Sequence, residues 1–505
     1  MPRPCNVIIT AWNQGKFLEE TIRSLLAQSQ RPAELLYVDD GSTDNSVEIA
    51  RRFPEVRVLA LEHQGVAKAR NAGYAALKSA YRDAPYVMFA DGDDKYSVNY
   101  LAAGCAALEA DLRLGAAYPH ITRFDENGSS SWSGNRPYDY DALASENYVP
   151  SPSVLRREAF ESAGGWQDVL DRLWDWDLWL RMTRLGWSLQ QMPESAILFY
   201  RLHNESNSAR ARGHEWENYR DIQMRLPVTV FTPFAAGRPW SLDLWVANLQ
   251  RSGLPLERAH LVAMDNTGDG GFAGRLLDAA WRLRPRAVTL LPGGDFVGVN
   301  NFTTRCNGDV TAYMCALWRR ATPHFDGDLL WSLEDDIRLR DDAYARLVSA
   351  LRPRVGVVGP PVVSRWRRPF EIMTYALHSK SPWELARLPN GRTDYRRMRR
   401  EGVEEVGAVS TSCLIVRRCV FHDHAPMESA NGDGRWSGHE FAMLRRCHQL
   451  GYSVLCHWDV KADHLINERQ ELTVEMWREA VRHPGYYRQA PDLGQITKPC
   501  GPASS

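Results

Sequence analysis

Val38-Asp39-Asp40-Gly41-Ser42 and Phe89-Ala90-Asp91-Gly92-Asp93-Asp94 each set carboxylates directly after an apolar run. A strand does not tolerate uncompensated carboxylates in its buried stretch, and open α/β sheets bind ligands beyond the C-terminal ends of their strands. Acids just past two strand ends therefore point to a ligand or a metal. Helix-sized connections and one further strand separate the two ends. That arrangement suits a nucleotide whose diphosphate is held through a divalent cation.

Outward from these stretches, strand and helix alternate. Residues 6–10 read as a strand, and residues 16–27 carry Phe17, Ile22, Leu25 and Leu26 at helical spacing. Residues 35–38 form the next strand, and Ser42 or Asp44 can cap a helix over 47–52. A strand at 56–61, a helix at 66–79 and a strand at 86–90 complete the series. Such alternation predicts a mostly parallel sheet with helices on both faces.

A polar stretch at 210–226 precedes Pro227, which opens a second series with strands at 228–231, 259–264, 287–291 and 329–333. Helices fall between them at 242–252, 276–282 and 312–320. Asp265-Asn266 and Glu334-Asp335-Asp336 follow two of these strands, in the order set by the first half. This is the signature of a diverged internal duplication. The expected organisation is a first domain over 1–212, a linker helix over 213–226, a second domain over 227–483 and a poorly ordered tail over 484–505.

The chain's 505 residues exceed one ordinary domain, and 44% apolar with 24% charged residues is ordinary for a globular protein. The net charge of -1 excludes nothing by itself. Met1 leads straight into a strand-like run, and no apolar segment approaches membrane-spanning length, so a cytoplasmic protein without a transmembrane segment is expected. Nine cysteines without a CxxC pair argue against zinc and against a disulfide framework.

The first half resembles the inverting family 2 glycosyltransferases of the GT-A fold, over roughly residues 5–208. In Val7-Ile8-Ile9-Thr10-Ala11-Trp12-Asn13, the resemblance places Thr10, Trp12 and Asn13 beside the nucleobase, with an indole in place of the usual tyrosine. Asp39 falls where the family contacts the uracil or ribose. Ala69-Arg70-Asn71-Ala72-Gly73 matches the helix whose arginine lies near the nucleotide. In the DxD-like Asp91-Gly92-Asp93-Asp94, Asp91 would lie near the ribose and Asp93 would ligate the metal. Trp174-Asp175-Trp176-Asp177 resembles the family's ED-x-D helix, with Trp174 in place of the glutamate and Asp175 aligned with the general base. His203, in Tyr200-Arg201-Leu202-His203, aligns with the histidine that completes the metal site. Asp93 and His203 with oxygen ligands suit Mn²⁺ or Mg²⁺. Taken alone, Trp174, Trp176 and Trp179 read as packing residues.

The resemblance is looser over residues 227–466. It implies Asp265 and Arg305 at the nucleotide, Asp336 and His464 at a metal, and Glu440 as base. The fold expected is therefore α/β, two GT-A (nucleotide-diphospho-sugar transferase, Rossmann-like) domains in tandem. The partners implied are a nucleoside-diphosphate sugar donor and an acceptor hydroxyl. An insertion at 365–400 holds ten basic residues against three acids, with aromatics interleaved. It suits a glycan, lipid-linked or other anionic acceptor, with nucleic acid carrying a modified base as an alternative. A nucleotidyltransferase is set aside, because no Gly-rich loop follows the first strand. A second half that only binds the acceptor stays open.

Overall fold

Cys5–Ala11 (β1) is buried along its whole length, as a strand covered by helices on both faces must be. The structure, a computed structural model, describes residues 3–80, 84–125, 128–131, 136–168, 173–203, 215–235, 237–238, 240–293, 310–362, 377–378, 381–385, 401–421, 439–467, 470–473 and 475. Internal contacts divide the chain into two units, Met1–Ile222 and Gln223–Ser505.

In the first unit β1 is followed by Leu35–Asp39 (β2), Val56–Ala60 (β3), Tyr86–Asp91 (β4), Lys95–Tyr96 (β5) and Leu114–Tyr118 (β6). His120–Asp125 (β7), Gly128–Ser131 (β8), Val154–Arg156 (β9), Ser188–Gln191 (β10) and Ile197–Arg201 (β11) complete it. The main sheet runs β10-β6-β9-β4-β1-β2-β3, and only β9 is antiparallel to its neighbours. A second sheet, β5-β11-β7-β8, lies downstream of the acids. The helix Gly15–Leu26 packs Leu18, Ile22 and Leu25 into the core shared with β1 and β2, with Leu26 partly buried beside them; of the residues that the spacing marks, Phe17 lies instead against His203.

The second unit contains Val228–Ala235 (β12), Ala259–Asn266 (β13), Ala287–Pro292 (β14), Leu329–Leu333 (β15), Ile337–Leu339 (β16) and Val355–Gly359 (β17). Leu377–His378 (β18), Ser381–Leu385 (β19), Val403–Val406 (β20), Cys413–Arg417 (β21), Ser453–His457 (β22), Ala462–Asn467 (β23) and Gln470–Leu472 (β24) follow. Its main sheet runs β14-β13-β12-β15-β21-β17-β22-β20. Read from the β14 end, this is the order of the first unit with β20 added at the far edge. The antiparallel strand recurs in the same place, since β21 opposes both β15 and β17.

A buried arginine marks the repeat independently. Arg156 of β9 donates to the carbonyls of Leu114, Leu108 and Asp111. Arg417 of β21 does the same for Val355, Leu351 and Arg352. In each unit it satisfies carbonyls at the end of a helix, Tyr100–Ala110 or Ala343–Ser349, and at the start of the strand that follows.

Strand β12 runs four residues beyond the sequence reading, through Pro233. Past Phe231 it pairs only with β13, so the missing N–H of proline costs no ladder bond on the other side. The segment expected as a linker holds the helix Glu215–Gln223, whose Tyr219 is buried against Trp176 within the first unit, with its hydroxyl donating to the Ser145 carbonyl. Among the described residues no helix is long and apolar enough to cross a membrane. Arg305, residues 204–206, most of the 365–400 insertion and the tail after 475 lie outside the described residues, as does the side chain of Glu440 on the helix His439–Gln449.

Candidate active site

Parallel register brings the acids of separate strands to one edge. Ala11 stands opposite Asp39 and Thr10 opposite Asp91. A side chain at Gly92 would place its Cβ 2.5 Å from that of Ala11, so only glycine lets the Asp91–Asp93 turn cross the end of β1.

The loop after β1 is braced by the loop after β2. Asn13 adopts a left-handed backbone, its N–H donates to Ser42 Oγ at 2.9 Å, and its Oδ1 accepts from the Thr43 N–H at 2.8 Å. Asp39 is buried and accepts from the Tyr37 hydroxyl at 2.9 Å and the Ser42 N–H at 3.0 Å. Asp40 accepts from the N–H groups of Gln64 and Gly65, at 2.9 and 3.0 Å, fixing the loop after β3. That loop carries His63, whose ring stacks on Trp12 with centroids 4.4 Å apart. Trp12 thus stands at the site as a stacking face, with His63 against it.

Arg70, on the helix Val66–Ala80, is fully buried. Nε donates to Thr10 Oγ1 at 3.2 Å, Nη1 to Ser151 Oγ at 2.6 Å and Nη2 to Asp91. Its guanidinium lies 4.8 Å from the Trp166 ring centroid and 4.3 Å from that of Trp174. Trp174 is therefore more than packing: where the resemblance expects an acid, it offers an aromatic face to the cation. Trp176 and Trp179 are core residues, as read, with indole N–H groups donating to the carbonyls of Leu143 and Val149.

His203 Nε2 meets Asp93 Oδ2 at 2.8 Å. Arg201 holds this corner by donating from Nε to the Asp93 carbonyl at 2.7 Å and from its N–H to Asp94 Oδ1 at 2.8 Å, while Nη2 pairs with Glu20. Its guanidinium lies between the rings of Phe17 and Phe124, at 4.7 and 4.4 Å. Asp94 is buried, and that burial, with Asp93 and Asp91 nearby, pushes its carboxyl well above the usual range.

Asp175 sits in the first turn of the helix Trp174–Arg184, and its Oδ1 accepts from the Trp176 N–H at 2.8 Å and from Asn147 Nδ2 at 3.2 Å. Burial pushes its carboxyl up despite these bonds and Arg70. Asp91 is pushed up to about 6, first by burial and against Arg70, with the Asp93 and Asp175 carboxylates adding to the rise. Acids from β4 and from this helix thus share one electrostatic site. With Asp175 as the base that the sequence resemblance implies, its raised pKa moves the acid limb of activity upward, since a base must be ionised to accept a proton. The kcat profile of the wild type is expected to fall, as pH drops, at a value above that of an ordinary aspartate. A profile flat down to pH 4 would contradict this.

The second unit repeats part of the site. Asp265 accepts from the Thr267 N–H and hydroxyl at 2.9 and 2.6 Å. His464 Nε2 lies 3.2 Å from Asp336 Oδ2, and Glu334, Asp336 and His464 offer ligand atoms all within 4.8 Å of one another. Glu334 and Arg238, which pairs with Asp335 and Asp336, were not singled out as site residues by the sequence. The Glu334-Asp335-Asp336 run is the signal for Glu334, and Arg238 has none.

Residues 6–164 match the model of glycosyl transferase family 2. The first unit carries a family 2 glycosyltransferase domain. The uncharacterized glycosyltransferase YibD of Escherichia coli (strain K12) is 38% identical over 156 residues, 30% of this chain and 42% of that protein. The O-antigen biosynthesis protein RfbC of Myxococcus xanthus is 26% identical over 508 residues, 90% of this chain and 37% of that protein. This chain thus spans less than half the length of either relative. The crystal structure of S. aureus TarS 1-349 in complex with UDP-GlcNAc is 18% identical and covers 44% of this chain and 65% of that one, with a TM-score of 0.35. The family 2 match and the sheet order agree on an α/β fold of the GT-A class.

Proposed function

We propose that the first unit transfers a sugar, with inversion, from a nucleoside-diphosphate sugar to an acceptor hydroxyl. The observation that carries this reading is the gathering of Asp91, Asp93, His203, Arg70 and Asp175 from four parts of the chain. Asp175 takes the proton of the attacking hydroxyl. Its raised pKa suits it to that task, and Asn147 and the Trp176 N–H orient the carboxylate through Oδ1. Trp12 stacks on the base, UDP being the first candidate, with Thr10, Asn13 and Asp39 lining its slot. Arg70 holds Asp91 toward the ribose.

The carboxylate and imidazole of Asp93 and His203 form a donor pair that fits Mn²⁺ or Mg²⁺. When bound, such an ion offsets the charge growing on the departing nucleoside diphosphate. Arg201 keeps both ligand-bearing segments in place. The second unit repeats the Asp–His pair at Asp336 and His464, which supports a second donor site, with Arg305 at its nucleotide and Glu440 as its base. The Arg-rich segment supports an anionic acceptor, and a relative named for O-antigen biosynthesis that matches along both units supports a glycan.

Calorimetry with UDP-, GDP- and TDP-sugars tests the reading. One donor is expected to bind in a Mn²⁺-dependent way and to lose that dependence in His203→Ala and Asp93→Asn. Donor binding that is indifferent to Mn²⁺ and to both substitutions would overturn the metal assignment.

A further inference from the structure

The second acidic cluster carries a cation of its own. Arg238, in the loop after β12, puts Nη1 on Asp335 Oδ1 and Nη2 3.0 Å from Asp336 Oδ2. Its side chain is 11% exposed. Burial works against its charge, and the facing carboxylates of Asp335, Asp336 and Glu334 more than offset that.

The register shows what is new here. Asp39 pairs with Ala11 and Asp265 with Phe234, so Ile8 and Phe231 correspond, as do their partners Phe89 and Ser332. Counting on, Glu334, Asp335 and Asp336 stand where Asp91, Gly92 and Asp93 stand. The second unit has therefore gained an acid at the glycine position, and Arg238 faces it. Asp335 Oδ2 also accepts from the Ala235 N–H at 2.9 Å, which fixes the loop that carries Arg238. Among the described residues no guanidinium touches the Asp93 carboxylate, whereas Asp336 Oδ2 is shared by Arg238 and His464.

We propose that Arg238 is a resident competitor for the divalent cation in the second unit. It neutralises Asp335 and Asp336 itself, so this cluster takes a metal far more weakly than the Asp93–His203 pair and meets the donor's diphosphate with a guanidinium. The inference rests on reading Asp336 and His464 as counterparts of Asp93 and His203. The ligand types fit Mn²⁺, since Glu334, Asp336 and His464 converge. What opposes the ion is charge: it must displace a buried guanidinium from Asp336 and leave it close by, unpaired and of like sign. The planar fork of arginine is suited to two oxygens of a phosphate as it is to two carboxylates.

Mn²⁺ binding to the full chain, followed by electron paramagnetic resonance of the free ion, tests this. Wild type is expected to bind one ion tightly, and Asp93→Asn to lose it. Arg238→Met is expected to gain a second ion, bound at least about tenfold more tightly than the second ion of wild type. Adding Asp336→Asn should abolish that gain. Arg238→Met combined with Asp335→Asn removes the acid that would lose its partner, and carries the test if Arg238→Met alone does not fold. Mn²⁺ should raise the unfolding temperature of both variants more than that of wild type. An unchanged ion count on removing Arg238, or two equally tight ions in wild type, would overturn the proposal. No tight ion in wild type, with one still gained on removing Arg238, would refute the Asp93–His203 reading and support the role of Arg238.

Discussion

Asp175→Asn is expected to lower sugar transfer by about 10²–10⁴-fold while leaving donor affinity within a small factor of wild type. The asparagine keeps the shape of the side chain and can still accept from the Trp176 N–H, so the helix Trp174–Arg184 is undisturbed. What is lost is a group that accepts a proton. Donor contacts are assigned to Trp12, Asp39, Asp91 and the Asp93–His203 pair, none of which bonds to Asp175. The check is a single-turnover rate beside a calorimetric donor titration. Equal loss in both would show that Asp175 serves binding, and transfer at the wild-type rate would remove it from the mechanism.

Arg70→Met carries the largest expected effect on stability. The guanidinium is fully buried, held by Thr10, Ser151 and Asp91 and flanked by Trp166 and Trp174. Removing it leaves the Asp91 carboxylate without its cation beside Asp93 and Asp175. Breaking a fully buried ion pair from one side typically costs about 3–5 kcal/mol, and the Asp91 side chain, 30% exposed, places this pair toward the lower end. Urea unfolding followed by tryptophan fluorescence should show the first unit's transition at a clearly lower midpoint. Arg70→Lys should recover part of the loss, because it restores the charge and not the three-way fork. A wild-type midpoint for Arg70→Met would mean that Asp91 is held by something else.

The fold of the first unit was legible because its strands are apolar runs cut off by acids. The limits read from sequence at β1 through β4 and the helices between them agree with the structure to within a residue. The second unit was harder to read. The end of β12 was hidden behind Pro233, and the helix Phe272–Arg282 starts four residues before the apolar spacing shows it. Site residues announced themselves where an acid closes a strand, as Asp39 and Asp91 do, or follows one within three residues, as Asp336 does.

Other parts of the site depend on direction in space rather than on spacing. Trp174 looked like packing, since nothing in a Trp-rich helix says which ring faces Arg70. Arg156 and Arg417 bind backbone carbonyls, which any residue supplies, so no partner in the sequence betrays them. Arg238 follows Gly237 beyond the end of β12, and only β-pairing brings it to Asp335 and Asp336. The duplication itself was visible in the order of elements. Its strongest mark, the recurrence of one antiparallel strand carrying one buried arginine, needed the structure.

The sugar transfer proposed for the first unit needs a metal held at Asp93 and His203. Release of nucleoside diphosphate from UDP-, GDP- and TDP-sugars with Mn²⁺ decides this, measured in wild type, Asp93→Ala and Asp336→Ala. Release from one donor that requires Mn²⁺ and disappears in Asp93→Ala is the expected result. Release that survives Asp93→Ala at the wild-type rate, or that proceeds equally well in a chelator, would show that no metal at Asp93 and His203 takes part.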